Sequence, residues 1–230
     1  MTRSRELPSG NEKIRAVRDM FDRIAPRYDL VNRVMTFGMD TRWRRRTVEA
    51  LGLEAGSLVL DVACGTGDLC RELERNGLRA IGTDFSAGML GAARTEAPLV
   101  QGDALALPVR DGSIDGVTCG FALRNVADLS LMLREFARVL RPGGRLSVLE
   151  VSEPRSAPLR YGHRLYFHRV VPIIGGLLSN RDAYRYLPAS TAYLPPREGL
   201  LEMFRNAGFD DVATRQLGFG AAQLISGARS

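Results

Sequence analysis

Apolar and polar positions change rhythm twice along this chain. In residues 12 to 24, Ile14, Val17, Phe21 and Ile24 recur every three or four positions, the spacing that places them on one face of a helix, and Pro26 stops it. Residues 40 to 52 predict a second helix, with Gly52 near its end. From residue 57 short apolar runs take over, and SLVLDV, RAIGTD, APLVQG, IDGVTCG and RLSVLEV read as strands. Between them 68 to 76, 87 to 95 and 129 to 140 predict helices, the last with Leu129, Met132, Leu133, Phe136, Val139 and Leu140 on one face. Such alternation predicts an α/β fold, a mostly parallel sheet with helices on both faces.

After Pro154 the rhythm breaks. Residues 155 to 195 show no strand pattern, yet they hold Tyr161, Tyr166, Tyr184, Tyr186 and Tyr193, both histidines (His163 and His168) and the run VVPIIGGLL. That composition predicts a cap over a site. A helix at 197 to 207, ended by Gly208, and strands near 211 to 217 and 221 to 228 complete a seven-stranded sheet. No internal repeat or low-complexity linker interrupts the pattern, so a single domain over residues 1–230 is expected, with a helical N-terminal segment at 1–52 and a helical cap inserted at 155–195.

Composition narrows the class. With 230 residues, 45% hydrophobic and 25% charged, the chain can bury a substantial core. Mean hydropathy is -0.10, and no run approaches the ~18 apolar residues of a membrane span. The start, MTRSRELPSGNEK, lacks the apolar core of a secretory signal. Cys64, Cys70 and Cys119 are odd in number and show neither CxxC nor zinc-type pairing, which fits a reducing cytoplasm and no metal. The net charge of +6 originates at the N-terminus: residues 1 to 46 carry twelve basic and six acidic side chains. Such a segment would attract nucleic acid or an anionic membrane, or simply form a solvated helical face.

The strongest local chemistry is Leu60-Asp61-Val62-Ala63-Cys64-Gly65-Thr66-Gly67-Asp68, a strand entering a glycine turn and then a helix. Glycine at 65 and 67 lets the backbone turn sharply and approach a ligand closely. Asp84 ends the second strand, where a carboxylate can accept from both ribose hydroxyls. A dinucleotide site would need a third glycine where Cys70 stands, and no lysine follows the loop as in a phosphate-binding P-loop. Asp61, four residues before Gly65, suits a ligand with a cationic amino-acid end. Gly102-Asp103-Ala104 follows the third strand, where Asp103 can accept from an adenine amino group. S-adenosyl-L-methionine combines amino acid, ribose and adenine.

These motifs, together with Val17 to Asp22, Ala25 to Asp29, the stretch from Tyr28 through Asn32, Phe37 and Gly38 to Trp43, Phe121 to Val126, Arg138 to Gly144, Leu149-Glu150, Tyr184 to Leu187 and Ala207 to Phe209, resemble the class I S-adenosylmethionine-dependent methyltransferases, and more narrowly the C-methyltransferases of ubiquinone and menaquinone biosynthesis. The resemblance implies a Rossmann-like methyltransferase fold. It implies S-adenosyl-L-methionine bound by Tyr28, Asp61, Gly65, Thr66, Gly67, Asp84, Asp103, Ala104 and Gly120. It also implies methyl transfer to a ring carbon of a polyprenylated hydroquinone. Arg124 would stabilise a phenolate and Asn125 would orient the phenol or a water; His163, His168, Tyr184 and Asp29 are the candidate bases. The chain departs from that pattern at Asp40, Gly120, Val151 and Ile225, with 151 and 225 expected on the substrate side.

A methyltransferase for another aromatic or lipid-like molecule is the alternative, as is a cofactor-binding protein without turnover. A nucleic-acid enzyme lacks its Pro-Pro-aromatic and Pro-Cys motifs here. The expected partners are therefore a small aromatic or prenylated quinone, a peripheral membrane contact through the basic N-terminus, no nucleic acid, and a homodimer as an open question.

Overall fold

A computed structural model describes residues 10–230; Arg3, Arg5 and the other N-terminal residues to Ser9 lie outside the described residues. The chain opens with α1 (Gly10–Ile24), a 3-10 turn (Ala25–Arg27), α2 (Tyr28–Met35) and α3 (Met39–Glu49). Pro26 does end α1, but α2 follows at once. Pro26 sits at the start of the 3-10 turn, where its missing N–H sacrifices no helical hydrogen bond, so the chain bends and resumes rather than unwinding.

The alternating region folds as β1 (Leu58–Val62), α4 (Asp68–Arg75), β2 (Arg79–Asp84), α5 (Ala87–Gly91), β3 (Leu99–Gln101), β4 (Ile114–Gly120), α6 (Leu129–Val139) and β5 (Leu140–Val151). It continues with α7 (Ala157–Leu165), a π turn (Tyr166–Val170), α8 (Val171–Leu178), α9 (Arg181–Ser190), α10 (Arg197–Asn206), β6 (Phe209–Leu217) and β7 (Ala222–Arg229). The sheet order is β3-β2-β1-β4-β5-β7-β6. The first five strands run parallel, while β7 lies antiparallel between β5 and β6.

Both faces are covered. Met132, Leu133 and Phe136 of α6 and Phe204 of α10 pack with Leu60, Val117 and Leu146 on one face. Leu69, Cys70 and Leu73 of α4, with Val48 and Leu51, pack on the other. Strand boundaries follow the sequence reading to within a residue for β1, β2, β4 and β7, whereas β3 keeps only three of its six expected residues, β6 starts two residues early, and β5 starts five residues early, with a register shift between Ile114 and Gly116 where Arg141 to Gly144 join the strand. α5 stops at Gly91 instead of running to 95, because Arg94 donates its backbone N–H to Thr66 and turns the chain away. Among the described residues, no helix is long and apolar enough to cross a membrane.

The segment 155 to 195 is helical, as expected. α7, the π turn and α8 form an unbroken rod. Pro172 at the start of α8 cannot donate to the preceding turn, and the helix widens there into one π turn. α8 and α9 meet where Gly175 faces Tyr184: a Cβ on Gly175 would lie 2.1 Å from Tyr184 Cγ. Gly175→Ala should therefore push α9 off α8 at a cost of about 1–3 kcal/mol. Limited proteolysis should then cut faster within 155 to 195 while the sheet resists as before.

Candidate active site

The sheet order reverses between β1 and β4, and open α/β sheets leave a crevice beyond the carboxyl ends of such strands. Immediately after each strand stands a non-glycine residue in the left-handed region, Ala63 at φ 56° and Phe121 at φ 59°. Conformations of this kind cost of order 1–3 kcal/mol and persist only where surrounding structure imposes them. At Phe121 the imposing groups are visible. Its N–H donates to the Leu149 carbonyl at 2.7 Å, and its own carbonyl accepts from Arg124 Nη1 at 2.8 Å and Asn125 Nδ2 at 3.2 Å.

A first cleft lies above β1, β2 and β4. Gly65, Gly102 and Gly120 keep its backbone walls bare, and Asp84 stands at its centre. A Cβ on Gly65 would meet nothing within 4 Å, so the turn faces open space. The Asp84 carboxylate accepts from Gly65 N–H at 2.8 Å and Ser86 N–H at 2.9 Å. A carboxylate offers about four acceptor sites, so these backbone bonds do not exhaust it and a ligand can still be accepted. Burial raises its pKa above the usual range, and those backbone N–H groups partly offset the rise. Asp103 and Ala104 line the same cleft, as do the apolar Ile14, Phe21, Met89, Leu105 and Val126. A buried acid for vicinal hydroxyls, an apolar slot and a bare glycine turn fit S-adenosyl-L-methionine.

Helix α1 roofs this cleft through polar anchors at its rim. Asp22 accepts from Ser86 Oγ at 2.5 Å and from Gly88 N–H at 2.9 Å. Lys13, the only lysine, donates to the Val126 carbonyl at 2.7 Å and lies 3.5 Å from the centroid of the Tyr193 ring. Burial lowers its pKa to about 8. Lys13 and Arg44 are internal, whereas the other eight described cations up to residue 46 are exposed.

Not every residue expected at the cofactor reaches the cleft. Asp61 is fully buried in the sheet, where it accepts from Thr118 Oγ1 at 2.9 Å and Cys70 Sγ at 3.5 Å. It sits behind the turn and is absent from the cleft lining. The Thr66 hydroxyl donates to Asp29 at 2.5 Å, tying the glycine turn to α2. Gly67, at φ 82°, caps α4, and the Thr95 side chain occupies the place of its missing Cβ. Tyr28, Gly65, Asp84, Asp103, Ala104 and Gly120 do line the cleft.

A second cavity of about 340 Å³ adjoins the first. Phe21, Tyr28, Phe121 and Asn125 line both and form the shared wall. Its other walls are apolar, with Ile24, Met35, Phe37, Trp43, Phe167 and Leu187 prominent. Its polar lining includes Asn32, Thr36, Asp40, Arg44, Arg124, Asn125, His163 and Tyr186, the last with a buried hydroxyl that has no hydrogen-bond partner. Arg124 is buried, paired with Glu150 and donating from Nε to Ser190 Oγ at 3.2 Å. Asn125 Oδ1 is buried without a hydrogen-bond partner. Burial raises the Tyr28 phenol above its ordinary pKa, against the lowering effect of Asn32, Arg124 and Arg44.

Of the four candidate bases, only His163 lines this cavity. Its Nδ1 is buried without a partner, its ring stacks on Phe167 at 5.4 Å, and burial lowers its pKa. His168 lies on the polar side of the cap, Tyr184 packs against Gly175, and Asp29 is engaged by Thr66.

The departures find their places too. Asp40 pairs with the buried Arg44, which also bonds Asp68 at 2.9 Å. Val151 lines the second cavity, as expected. Ile225 does not: it is fully buried in β7 between Val148 and Thr214, because its place in the central antiparallel ladder leaves it no access to the cavity. Sequence reasoning missed Glu150 as the partner of Arg124, since the two are 26 residues apart and only strand register joins them.

Residues 9–229 match the ubiE/COQ5 methyltransferase family. The chain is 46% identical to a demethylmenaquinone methyltransferase of Thermus thermophilus over 91% of its length and 100% of the relative's. It is 43% identical to one from Roseiflexus castenholzii, with 97% of each chain covered. A ubiquinone/menaquinone biosynthesis C-methyltransferase of Geobacter sulfurreducens is 41% identical over 95% of this chain and 90% of its own. In fold, the chain is similar to a Thermotoga maritima S-adenosylmethionine-dependent methyltransferase described as a possible histamine N-methyltransferase, with a TM-score of 0.67 at 20% identity, covering 93% and 100% of the two chains.

Two outcomes test this geometry. Burial raises Asp61 from 3.8 to about 7. A carboxyl whose folded pKa lies above its unfolded value contributes stability below the unfolded pKa and loses it as pH rises through the folded one. Urea midpoints should therefore fall between about pH 4 and about pH 7 in the wild type, and less in Asp61→Asn. Arg124→Met strands the buried Glu150 carboxylate and should cost about 3–5 kcal/mol. Arg124→Met/Glu150→Gln should recover much of that stability, because Gln keeps an acceptor for the Val151 N–H that Glu150 binds at 2.7 Å.

Proposed function

The chain belongs to the ubiE/COQ5 methyltransferase family, and on that footing we infer that it methylates a ring carbon of a polyprenylated hydroquinone of the demethylmenaquinol kind. One observation carries the choice of acceptor: a large, mainly apolar cavity shares a wall with the cofactor cleft, and its polar groups include Arg124, Asn125 and His163. A hydroquinone head needs such polar groups, and a prenyl tail needs the apolar walls.

Bound in the first cleft, S-adenosyl-L-methionine supplies a methyl group already activated for transfer to an electron-rich carbon. The protein's own task is to make the ring carbon electron-rich and to hold it in place. Neutral His163, with its unpartnered Nδ1, takes the phenolic proton; once the carbon carries the methyl group its own hydrogen leaves as a proton and the ring oxygen is reprotonated, which restores the phenol. Asn125 Oδ1 at the shared wall orients the hydroxyl. Arg124 contributes oriented N–H groups more than net charge, since Glu150 already balances it. The phenyl and indole walls keep water from the site while the phenolate exists.

Incubation with methyl-labelled cofactor and demethylmenaquinol should place label on the ring; an enzyme that binds cofactor but labels no quinol would defeat this reading. His163→Gln should lower turnover about a hundredfold or more, with cofactor affinity little changed. Wild-type turnover should drop on acidification through a pKa below the ordinary 6.5 of histidine, as the base becomes protonated. The variant's residual rate should lack that acidic limb.

A further inference from the structure

Apart from Val100 and Phe219, the large apolar side chains that remain exposed lie on α2, just after it, or on the α7–α8 rod. On α2, Leu30 (57% exposed) and Val34 stand one helical turn apart, and Phe37 (75%) follows. On the α7–α8 rod, Val170, Ile173 (61%) and Leu177 (79%) repeat at three and four residues, on one face. The two stripes adjoin. Arg27 Nη1 donates to the Leu178 carbonyl at 2.9 Å, Tyr166 Oη to the Met35 carbonyl at 2.8 Å, and the Phe37 and Tyr166 rings lie 5.8 Å apart. Phe37 and Tyr166 also line the second cavity, so this face borders its mouth. A contiguous apolar face of this extent marks an interaction surface.

Charge identifies its occupant. Residues 155 to 180 contain Arg155, Arg160, Arg164 and Arg169 with both histidines and no acid. Arg33 on α2 and Arg169 on the rod are exposed. The one acid of α2, Asp29, is turned inward to Thr66, and Glu153 beyond the rod is spent on Arg164 at 3.0 Å. A second copy apposed on the same patch would set cation against cation. An anionic lipid surface satisfies both features, taking apolar side chains into its interface and arginines among its phosphates.

We propose that α2, Phe37 and the α7–α8 rod form a membrane-docking face for anionic phospholipid bilayers, with Leu30, Ile173 and Leu177 entering the interface. The face thus joins part of the N-terminal segment, α2 and Phe37, to the cap. Exposure and charge carry this assignment without reference to the acceptor; that a prenylated acceptor enters the cavity from the lipid side rests on the function inferred above.

Co-sedimentation with phosphatidylcholine vesicles, with and without phosphatidylglycerol, tests it in the absence of cofactor and acceptor, so a failed quinol assay leaves the result intact. Binding should require phosphatidylglycerol and weaken with salt. Ile173→Ser/Leu177→Ser should reduce partitioning at least tenfold, with melting temperature and S-adenosyl-L-methionine affinity unchanged. In a second variant, Leu177→Trp, emission should shift to the blue on phosphatidylglycerol vesicles and be quenched by brominated lipid. Wild-type protein that stays in the supernatant overturns the proposal. So does a Leu177→Trp protein that binds with unshifted emission, or a dimer that the double substitution dissociates.

Discussion

A guanidinium taken out of water must be paired, and the pairing of Arg124 with Glu150 organises much of this molecule. Glu150 belongs to β5, Arg124 to the loop after β4, and Ser190, which accepts from Arg124, to the end of α9. One side chain thus joins the sheet, the shared wall and the cap. Through its bond to the Phe121 carbonyl it also helps hold Phe121 in the left-handed region, and with it the partition between cofactor cleft and acceptor cavity. A pair formed from an exposed arginine would not impose such order, since solvent would compete for every donor.

The two cavities divide the chemistry by polarity. The cofactor cleft concentrates its acceptors in Asp84 and Asp103 and closes under α1, whose Lys13 and Asp22 fasten it to rim residues on both sides. Among the polar groups of the acceptor cavity, Arg124 is paired with Glu150 and Arg44 with Asp40, whereas Asn125 Oδ1, His163 Nδ1 and the Tyr186 hydroxyl are buried without partners. Buried acceptors without partners carry a cost, and a ligand hydroxyl is what relieves it. The cap extends the same division outward, apolar on the face beside the cavity mouth and cationic around it.

Sequence alone determined the parts governed by local rules. Period-two and helical spacing located all seven strands and most helices, because each element must hide one face. The Gly65 to Gly67 turn and the acid at the end of β2 announced the cofactor, because only certain residues tolerate that backbone and that ligand. What tertiary structure decided was direction. Asp61 was expected among the cofactor-binding residues, and its carboxylate meets Thr118 and Cys70 inside the protein. Ile225 was expected near substrate but is locked in the ladder between β5 and β6. His163 could not be told from His168 until the helical rod brought His163 to the cavity wall while leaving His168 on the polar side of the cap, which His163 also borders. Local patterning states which side chains must be buried or exposed. Which neighbour each one meets depends on strand order and helix docking, and those contacts join residues tens of positions apart.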